Sequence, residues 1–132
     1  MARSSRMKIL IDTHVLLWSL VAPERLSATA RHLISDPENS ILVSHVSVWE
    51  LALKVQKLGM PLPLREFLEK GMRGLGAAWL TIDLAHILET KDLPPVHGDP
   101  FDRMLIAQAV CEGVPVVSGD TVFSRYPLSV IW

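Results

Sequence analysis

Hydrophobic residues fall into five short runs along the chain, separated by stretches with helical spacing. The first run, KILID at residues 8–12, is aliphatic and closes on a polar residue, which is typical of a strand buried on both faces. Three other runs resemble it, and the C-terminal SVIW is a fifth candidate strand. The four later runs are ILVS at 41–44, AWLTID at 78–83, VPVVSGD at 114–120 and SVIW at 129–132.

The stretches between these runs predict six helices. Ser27 and Asp83 are favourable residues for opening a helix, and Gly59 and Gly113 are favourable residues for ending one. Because strands alternate with helices, the pattern predicts right-handed crossovers and an α/β fold, a three-layer α/β/α sandwich around a parallel sheet of four to five strands. The predicted helices span 14–21, 27–35, 47–58, 63–73, 83–91 and 99–112.

The length of 132 residues predicts one domain over residues 7–132, preceded by a tail at residues 1–6. The hydrophobic fraction of 49% is high for a small domain, so we expect a partner to cover part of the apolar surface. The apolar run at 15–22 is far shorter than the roughly 20 residues needed to cross a bilayer. We therefore expect no membrane association.

Charge and cysteine content exclude several classes of function. A net charge of −1 provides no overall basic field for nucleic-acid binding, so any such contact must be local or mediated by a metal. Cys111 is the single cysteine, which rules out an internal disulfide and a cysteine-rich zinc site. This usage suits a protein of the reducing cytoplasm.

Aspartates terminate three of the predicted strands, at Asp12, Asp83 and Asp120. In open parallel sheets, ligands bind beyond the carboxyl ends of the strands, where these side chains are expected. Each aspartate has a structural alternative, because Asp is also a favoured N-cap of the helix that follows a strand. Asp83 fits the capping role best, since a helical pattern follows it directly.

Glu50 lies on the predicted helix 47–58, roughly opposite its apolar stripe. One reading is a solvated side chain paired with Lys54 one turn later. The other is a carboxylate in the first turn after a buried strand, within reach of the crevice that holds Asp12. The stripe consists of Val48, Leu51, Ala52, Val55 and Leu58.

The segment HGDPFDRML at 97–105 contains two aspartates with different expected roles. Asp99 before Pro100 is a strong helix start, with Asp as the N-cap and Pro at the first helical position. Asp102 then falls at the third helical position, where it is either half of a capping box or a functional acid. The helix that follows is apolar nearly all round, which predicts burial between the sheet and a partner.

Four acids from separate elements, Asp12, Glu50, Asp102 and Asp120, are expected to converge on one edge of the sheet. Clustered carboxylates repel one another unless a cation neutralises them. An all-oxygen site without cysteine suits Mg²⁺ or Mn²⁺, ions that activate water and bridge phosphate oxygens.

The order LIDTHVLLW, SVWELALK, DPFDRMLIAQA and VVSGD resembles the PIN domain, specifically its VapC-type toxin ribonucleases, from about Met7 to Trp132. The resemblance implies that Asp12, Glu50, Asp102 and Asp120 are the catalytic, metal-binding acids. It further implies that Thr13, Asp99 and Arg103 shape the site or contact substrate. His97 also matches the pattern, but a loop residue before a helix cap is its simpler interpretation.

The function implied by this resemblance is a Mg²⁺- or Mn²⁺-dependent endoribonuclease that a VapB-type antitoxin inhibits. Lys54, Arg103 and Arg125 are candidate phosphate contacts, although each is more readily explained as a surface charge. The apolar surplus, which includes Trp18, Trp49 and Trp79, fits a homodimer and an antitoxin groove, with core packing as the alternative for each tryptophan.

Two other classes of function stay open. One is a non-catalytic PIN-like binding module, and the other is a Mg²⁺-dependent phosphohydrolase on a similar sheet. A haloacid-dehalogenase-like phosphatase needs an acid two residues after the first strand's aspartate, where this chain has His14. A receiver domain needs an acidic pair at that strand end and a lysine near the last strand, and the chain has neither.

Overall fold

The computed structural model describes residues 6–60 and 62–132. It contains a five-stranded parallel sheet, which confirms the predicted fold class. The first five residues of the expected N-terminal tail lie outside the described residues. The strands are Lys8–Ile11 (β1), Ser40–Ser44 (β2), Ala78–Leu80 (β3), Val116–Val117 (β4) and Val130–Ile131 (β5), in the order β3-β2-β1-β4-β5.

Six α-helices occur where the spacing predicts them, with small shifts at their ends. The third helix begins two residues before its predicted start, because the Ser44 hydroxyl accepts a hydrogen bond from the Val46 amide at 3.0 Å and caps it. Two short 3₁₀ helices, Pro23–Arg25 and Thr121–Arg125, carry no predicted counterpart. The helices are Thr13–Val21 (α1), Ala28–Ser35 (α2), His45–Leu58 (α3), Leu64–Leu75 (α4), Leu84–Thr90 (α5) and Pro100–Glu112 (α6).

Two hydrophobic cores form, one on each face of the sheet. Successive side chains of β1 alternate between them, so Ile9 and Ile11 pack with α1, α2 and α4 while Leu10 packs with α6. Helix α3 contributes to both, through Val46 to one core and Leu51 to the other. None of the described helices combines the length and the apolar character that crossing a membrane requires.

The third strand differs from its prediction. The run 78–83 predicts a strand buried on both faces, but β3 ends at Leu80 and is an edge strand that pairs with β2. Its central residue, Trp79, keeps 42% of its surface exposed. The apolar residues of the run have separate contacts: Leu80 and Ile82 pack against a hydrophobic core, and the Trp79 ring lies against the His45 ring with 5.3 Å between centroids.

Helix α6 is buried, but its own chain supplies the cover. The five consecutive residues from Leu105 to Ala109 are buried, and α5 packs along the helix. The partner predicted to cover α6 is therefore unnecessary there. Apolar side chains are exposed instead on α5 itself, at Leu84, Ile87 and Leu88.

A buried amide ties α6 to the carboxyl end of the sheet. Gln108 Oε1 accepts a hydrogen bond from the Ser44 hydroxyl at 2.5 Å, and its Nε2 donates to the Thr81 carbonyl at 3.1 Å. Ser44 also caps α3, so one amide links the start of α3, the end of β3 and the middle of α6. This link sets how α3 and α6 meet at the edge where the predicted acids lie.

We expect Gln108→Leu to lower the free energy of unfolding by about 2 kcal/mol, because the buried Ser44 hydroxyl loses its acceptor. Urea denaturation monitored by circular dichroism measures the change. Gln56→Leu, at an exposed position of α3, is the matched control and should change stability by less than about 0.5 kcal/mol. Equal losses in the two variants would contradict a structural role for the Gln108 amide.

Candidate active site

The candidate site lies where the order of the strands reverses. Strand β1 has β2 on one side and β4 on the other, so the chain after β1 and the chain after β4 diverge and leave a crevice beyond their carboxyl ends. Asp12 follows β1 and Asp120 follows β4. The starts of α3 and α6 border the same edge through the Gln108 link.

Asp12 combines a structural contact with a buried charge. Its Oδ1 accepts a hydrogen bond from the Val15 amide at 2.7 Å, which makes it the N-cap of α1. The residue is only 5% exposed, and burial raises the pKa of its carboxyl above the ordinary 3.8. Hydrogen bonds from Ser118 and Val15 counteract this rise, while the charge of Asp120 adds to it. Asp12 therefore caps α1, while burial makes the ionised form of its carboxyl less favourable.

Asp120 lies across the crevice from Asp12 and is exposed. Its carboxylate accepts a hydrogen bond from the Val122 amide at 3.0 Å and caps the 3₁₀ helix, and its own amide donates to the Ser118 hydroxyl at 3.1 Å. Ser118 therefore contacts both acids of this pair. The sequence did not predict a role for Ser118, because a serine after a strand is common and does not by itself indicate a functional site.

Glu50 is buried, and this differs from the predicted helix face. The buried residues of α3 are Val46, Ser47, Glu50 and Leu51, whereas Ala52 of the predicted stripe is exposed. The predicted stripe is therefore only partly buried: Leu51 lies in a core and Leu58 packs against it, whereas Ala52 is exposed. Position on the helical wheel alone does not reveal which side the sheet occupies.

A lysine neutralises the Glu50 carboxylate. Lys54 Nζ lies 2.7 Å from Glu50 Oε2, and this hydrogen bond is the main reason that the pKa of Lys54 is raised. The charges of Glu50, Asp99 and Asp102 raise it further. The pairing predicted as the simple alternative is therefore present, but its acid is buried and its lysine also interacts with two further negative charges, those of Asp99 and Asp102.

Asp99 and Asp102 begin α6 with different contacts. Asp99 Oδ1 accepts hydrogen bonds from the Phe101 amide at 2.9 Å and the Asp102 amide at 3.0 Å, so Asp99 is the N-cap. The Asp102 carboxylate makes no return contact of the capping-box kind. Its Oδ2 lies 3.1 Å from His97 Nε2.

The pKa of Asp102 is raised to about 6, first by burial and then by the charges of Asp99 and Glu50. The hydrogen bond with His97 works in the opposite direction. Asp102 therefore interacts electrostatically with Glu50, as Asp12 does with Asp120. A hydrogen bond of 3.0 Å from Thr13 Oγ1 to Ser47 Oγ joins the two halves, since Thr13 follows Asp12 and Ser47 lies one helical turn before Glu50.

The donors fit a hard divalent cation in chemistry, although they do not form a closed cage. All four acids offer oxygen, which Mg²⁺ and Mn²⁺ prefer. Within residues 6–60 and 62–132, no group of three or more His, Cys, Asp or Glu side chains is close enough to hold a metal ion. Mg²⁺ usually keeps several waters and uses one or two carboxylates, so this open arrangement suits it better than Zn²⁺ or Ca²⁺.

Arg103 points away from the acids. Its guanidinium donates to the carbonyls of Thr90 and Pro94, both at 2.9 Å, and to the Tyr126 hydroxyl at 3.1 Å. These contacts engage the side chain inside the chain, so it is not directed toward a phosphate. Arg125, another candidate phosphate contact, is exposed on the 3₁₀ helix.

His97 and Tyr126 are site residues that sequence reasoning did not identify as such. His97 contacts Asp102 through Nε2 and the Tyr126 hydroxyl through Nδ1, at 3.1 and 2.7 Å. The spacing of five residues between His97 and Asp102 is short enough to suggest that the two side chains meet. Tyr126 lies 29 residues from His97, and no local pattern indicates that the two meet.

A pH-dependent prediction follows from Asp102. Because its pKa is higher in the folded protein than the ordinary 3.8, the metal-free folded state binds this proton more tightly than the unfolded chain. The resulting stabilisation is present below the ordinary pKa and is lost as the pH rises through about 6. Asp102→Asn removes this loss, so the variant should gain stability relative to wild type as the pH rises.

The measurement is urea unfolding of both metal-free proteins at several pH values from about 4 to about 8. Asp92→Asn is the control, because Asp92 is an exposed carboxylate paired with Lys91 at the surface. A constant difference between wild type and Asp102→Asn over this range would show that the pKa of Asp102 is not raised by folding.

Comparison with known proteins gives a family and a set of similar folds. The family model described as PIN domain matches residues 9–128. Ribonuclease VapC16 of Mycobacterium tuberculosis is 38% identical over 68 residues, which are 47% of this chain and 48% of that protein. The match thus spans about half the length of that relative.

Solved structures agree on the fold at low sequence identity. A chain in the crystal structure of VapBC2 from Rickettsia felis, bound to a DNA fragment from their promoter, superposes with a TM-score of 0.73 at 15% identity, covering 95% of this chain and 98% of that one. A chain of DNA-bound VapBC from Salmonella typhimurium gives 0.67 at 17% identity, with 95% and 97% covered. VapBC-5 from Mycobacterium tuberculosis gives 0.59 at 18% identity, with 94% and 95% covered.

Proposed function

The chain belongs to the PIN domain family, and from that premise we propose that it is a metal-dependent endoribonuclease and the toxin of a type II toxin–antitoxin pair. The observation that supports this most directly is the pairing of acids at the carboxyl edge of the sheet. The charge of Asp120 adds to the raised pKa of Asp12, and the charges of Asp99 and Glu50 add to that of Asp102. The similarity to Ribonuclease VapC16 supports the choice of RNA as substrate.

Asp12 and Asp102 are the first metal ligands we propose, with Glu50 and Asp120 completing the site directly or through water. A bound Mg²⁺ or Mn²⁺ supplies positive charge for the phosphate and makes a nearby water more acidic. The chain's own part is to hold ionised oxygens toward the crevice. The Val15 amide orients Asp12, His97 orients Asp102, and the Thr13–Ser47 contact keeps the two halves together.

Lys54 provides the local positive charge that the net charge of −1 does not. It neutralises Glu50 at 2.7 Å and keeps 47% of its side chain exposed, so its ammonium is also open to an approaching phosphate. An anionic substrate therefore meets a positive group at the rim of an otherwise acidic pocket. Cytoplasmic RNA is the substrate we propose, and nothing in the described residues selects a base sequence.

We expect Asp12→Asn and Asp102→Asn each to reduce Mn²⁺-dependent cleavage of total cellular RNA by at least about 100-fold, because each removes a charge that the cation needs. Both variants should fold, since Asn keeps an acceptor for the Val15 amide or for His97. Induced expression of wild type should arrest growth, and expression of either variant should not.

Asp99→Asn is the matched control for this experiment. It keeps the cap of α6, so cleavage should stay within a few-fold of wild type, while Asp99→Ala should cost about 1 kcal/mol of stability. Wild-type protein that binds Mn²⁺ and RNA without cutting would favour the non-catalytic binding module. Cleavage retained by Asp102→Asn but lost by Asp99→Asn would reverse the two roles.

We also propose that the chain forms a homodimer and binds a VapB-type antitoxin. The concave apolar groove between α3 and α4, closed by Trp79 of β3, suits an antitoxin segment, because helices and extended peptides bind in such grooves. The apolar lining of the groove includes Val48, Trp49, Ala52, Leu68, Met72 and Trp79, and the charged side chains of Arg65, Glu69 and Arg73 line it as well. The flat patch of Leu84, Ile87 and Leu88 on α5 suits a two-fold contact with a second copy.

The dimer is tested by light scattering at micromolar concentration. Leu88→Glu should shift the protein to a monomer, because a two-fold contact would bring the two introduced carboxylates close together in an apolar interface. Lys91→Glu, just beyond α5 and already exposed, should leave the dimer intact. A wild-type monomer, or a Leu88→Glu variant that remains dimeric, would exclude α5 as the contact between copies.

A further inference from the structure

We propose that Arg103 and Tyr126 fix which nitrogen of His97 carries the proton, so that His97 always presents an N–H to Asp102 and positions this carboxylate for the metal. The metal part of this inference rests on the proposed function. The hydrogen-bond part rests only on the structure. His97, Tyr126 and Arg103 are in this view positioning residues, because they act through Asp102.

The argument starts from the Tyr126 hydroxyl, which has one proton to donate and two lone pairs. Tyr126 is only 4% exposed, and three polar groups surround its hydroxyl. Arg103 Nη1 is 3.1 Å away and the His97 amide nitrogen is 3.3 Å away, and both can only donate. These two donors occupy both lone pairs. The hydroxyl proton is therefore left for the third neighbour, His97 Nδ1, at 2.7 Å.

The tautomer of His97 follows from this count. Nδ1 accepts the hydrogen bond that the tyrosine hydroxyl donates, so it must be the unprotonated nitrogen of the neutral ring. The ring proton then lies on Nε2, which is 3.1 Å from Asp102 Oδ2. The near-perpendicular packing of the His97 and Tyr126 rings, at 69° and 5.5 Å between centroids, holds this geometry.

Arg103 anchors the series of hydrogen bonds that runs through Tyr126 and His97 to Asp102. It donates to the main-chain carbonyls of Thr90, Leu93 and Pro94, at 2.9, 3.4 and 2.9 Å, and not to a carboxylate. A guanidinium cannot act as an acceptor, so Arg103 cannot reverse the direction of its bond to Tyr126. The carbonyls that hold Arg103 therefore set the donor and acceptor roles in each hydrogen bond of this series, from Arg103 through Tyr126 and His97 to Asp102.

The consequence for Asp102 is a division of its two oxygens. Oδ2 accepts from His97, and Oδ1 remains for a cation. Groups that hydrogen-bond a metal-binding side chain orient it, and their loss typically weakens metal binding about 10- to 100-fold. The alternative is that His97 and Tyr126 only anchor the loop before α6. In that case their loss would lower stability and leave the affinity for metal unchanged.

The first experiment measures the tautomer directly by NMR of ¹⁵N-labelled, metal-free protein. We expect His97 of the wild type to carry its proton on Nε2, with Nδ1 unprotonated. An ionised Asp102 by itself also favours the proton on Nε2, so the role of Tyr126 is isolated in Asp102→Ala, where the Nε2 tautomer should persist, and in the double variant Asp102→Ala/Tyr126→Phe, where it should give way to a mixture. A wild-type ring protonated on Nδ1, or a single Nε2 tautomer that persists in the double variant, would overturn the hydrogen-bond argument whether or not the protein cuts RNA.

The second experiment measures Mn²⁺ affinity by isothermal titration calorimetry, without any substrate. We expect His97→Ala to bind Mn²⁺ about 10- to 100-fold more weakly than wild type and Tyr126→Phe to fall between them. His97→Gln should recover part of the affinity, because its amide can donate to Asp102 from the same place. His32→Ala, at an exposed position of α2, is the control and should bind as wild type does.

The outcomes separate this inference from the proposed function. Mn²⁺ affinity that is unchanged in His97→Ala and Tyr126→Phe, together with lower melting temperatures, would leave His97 an anchor only. A wild type that binds no Mn²⁺ would overturn the metal part along with the proposed function, while the tautomer measurement would still stand. If His97→Ala does not fold, Tyr126→Phe and His97→Gln decide the question.

Discussion

The parallel pairing of β1 with both β2 and β4 is the constraint on which the rest of the molecule depends. It places the chain segments that follow these strands at one edge, and with them acids that repel one another. Burial is the main reason that the pKa values of Asp12 and Asp102 are raised, and the charge of a neighbouring acid adds to each. A fold that gathers carboxylates in this way must hold each of them with a partner of its own.

Those partners differ from acid to acid, and each comes from the element that carries or borders it. Asp12 uses the first turn of its own helix, Glu50 uses a lysine one turn further along α3, and Asp102 uses a histidine from the loop before α6. The carboxylates are thus oriented independently and are drawn together only by the packing of α1, α3 and α6. This explains how a pocket can be electrostatically coupled without being a preformed metal cage.

Local chemistry was enough to predict the strands, the six helices, and the cap that Asp99 provides for α6. What could not be predicted depends on residues that are distant in sequence. The buried side of α3 is decided by its contacts with α1 and α6, so Glu50 turned inward and Ala52 outward. The exposed edge position of β3 and the contact of His97 with Tyr126 likewise require the tertiary fold, because their partners share no local spacing.

The brevity of the two outermost strands affects how the molecule can associate with itself. Strands β3 and β5, at the edges of the sheet, contain three and two residues, and such short edges offer few free backbone groups for another chain to extend. The exposed apolar side chains lie mainly on helices, which cannot template an added strand. Crowding of this protein should therefore favour discrete contacts between side chains over the growth of amyloid-like fibres.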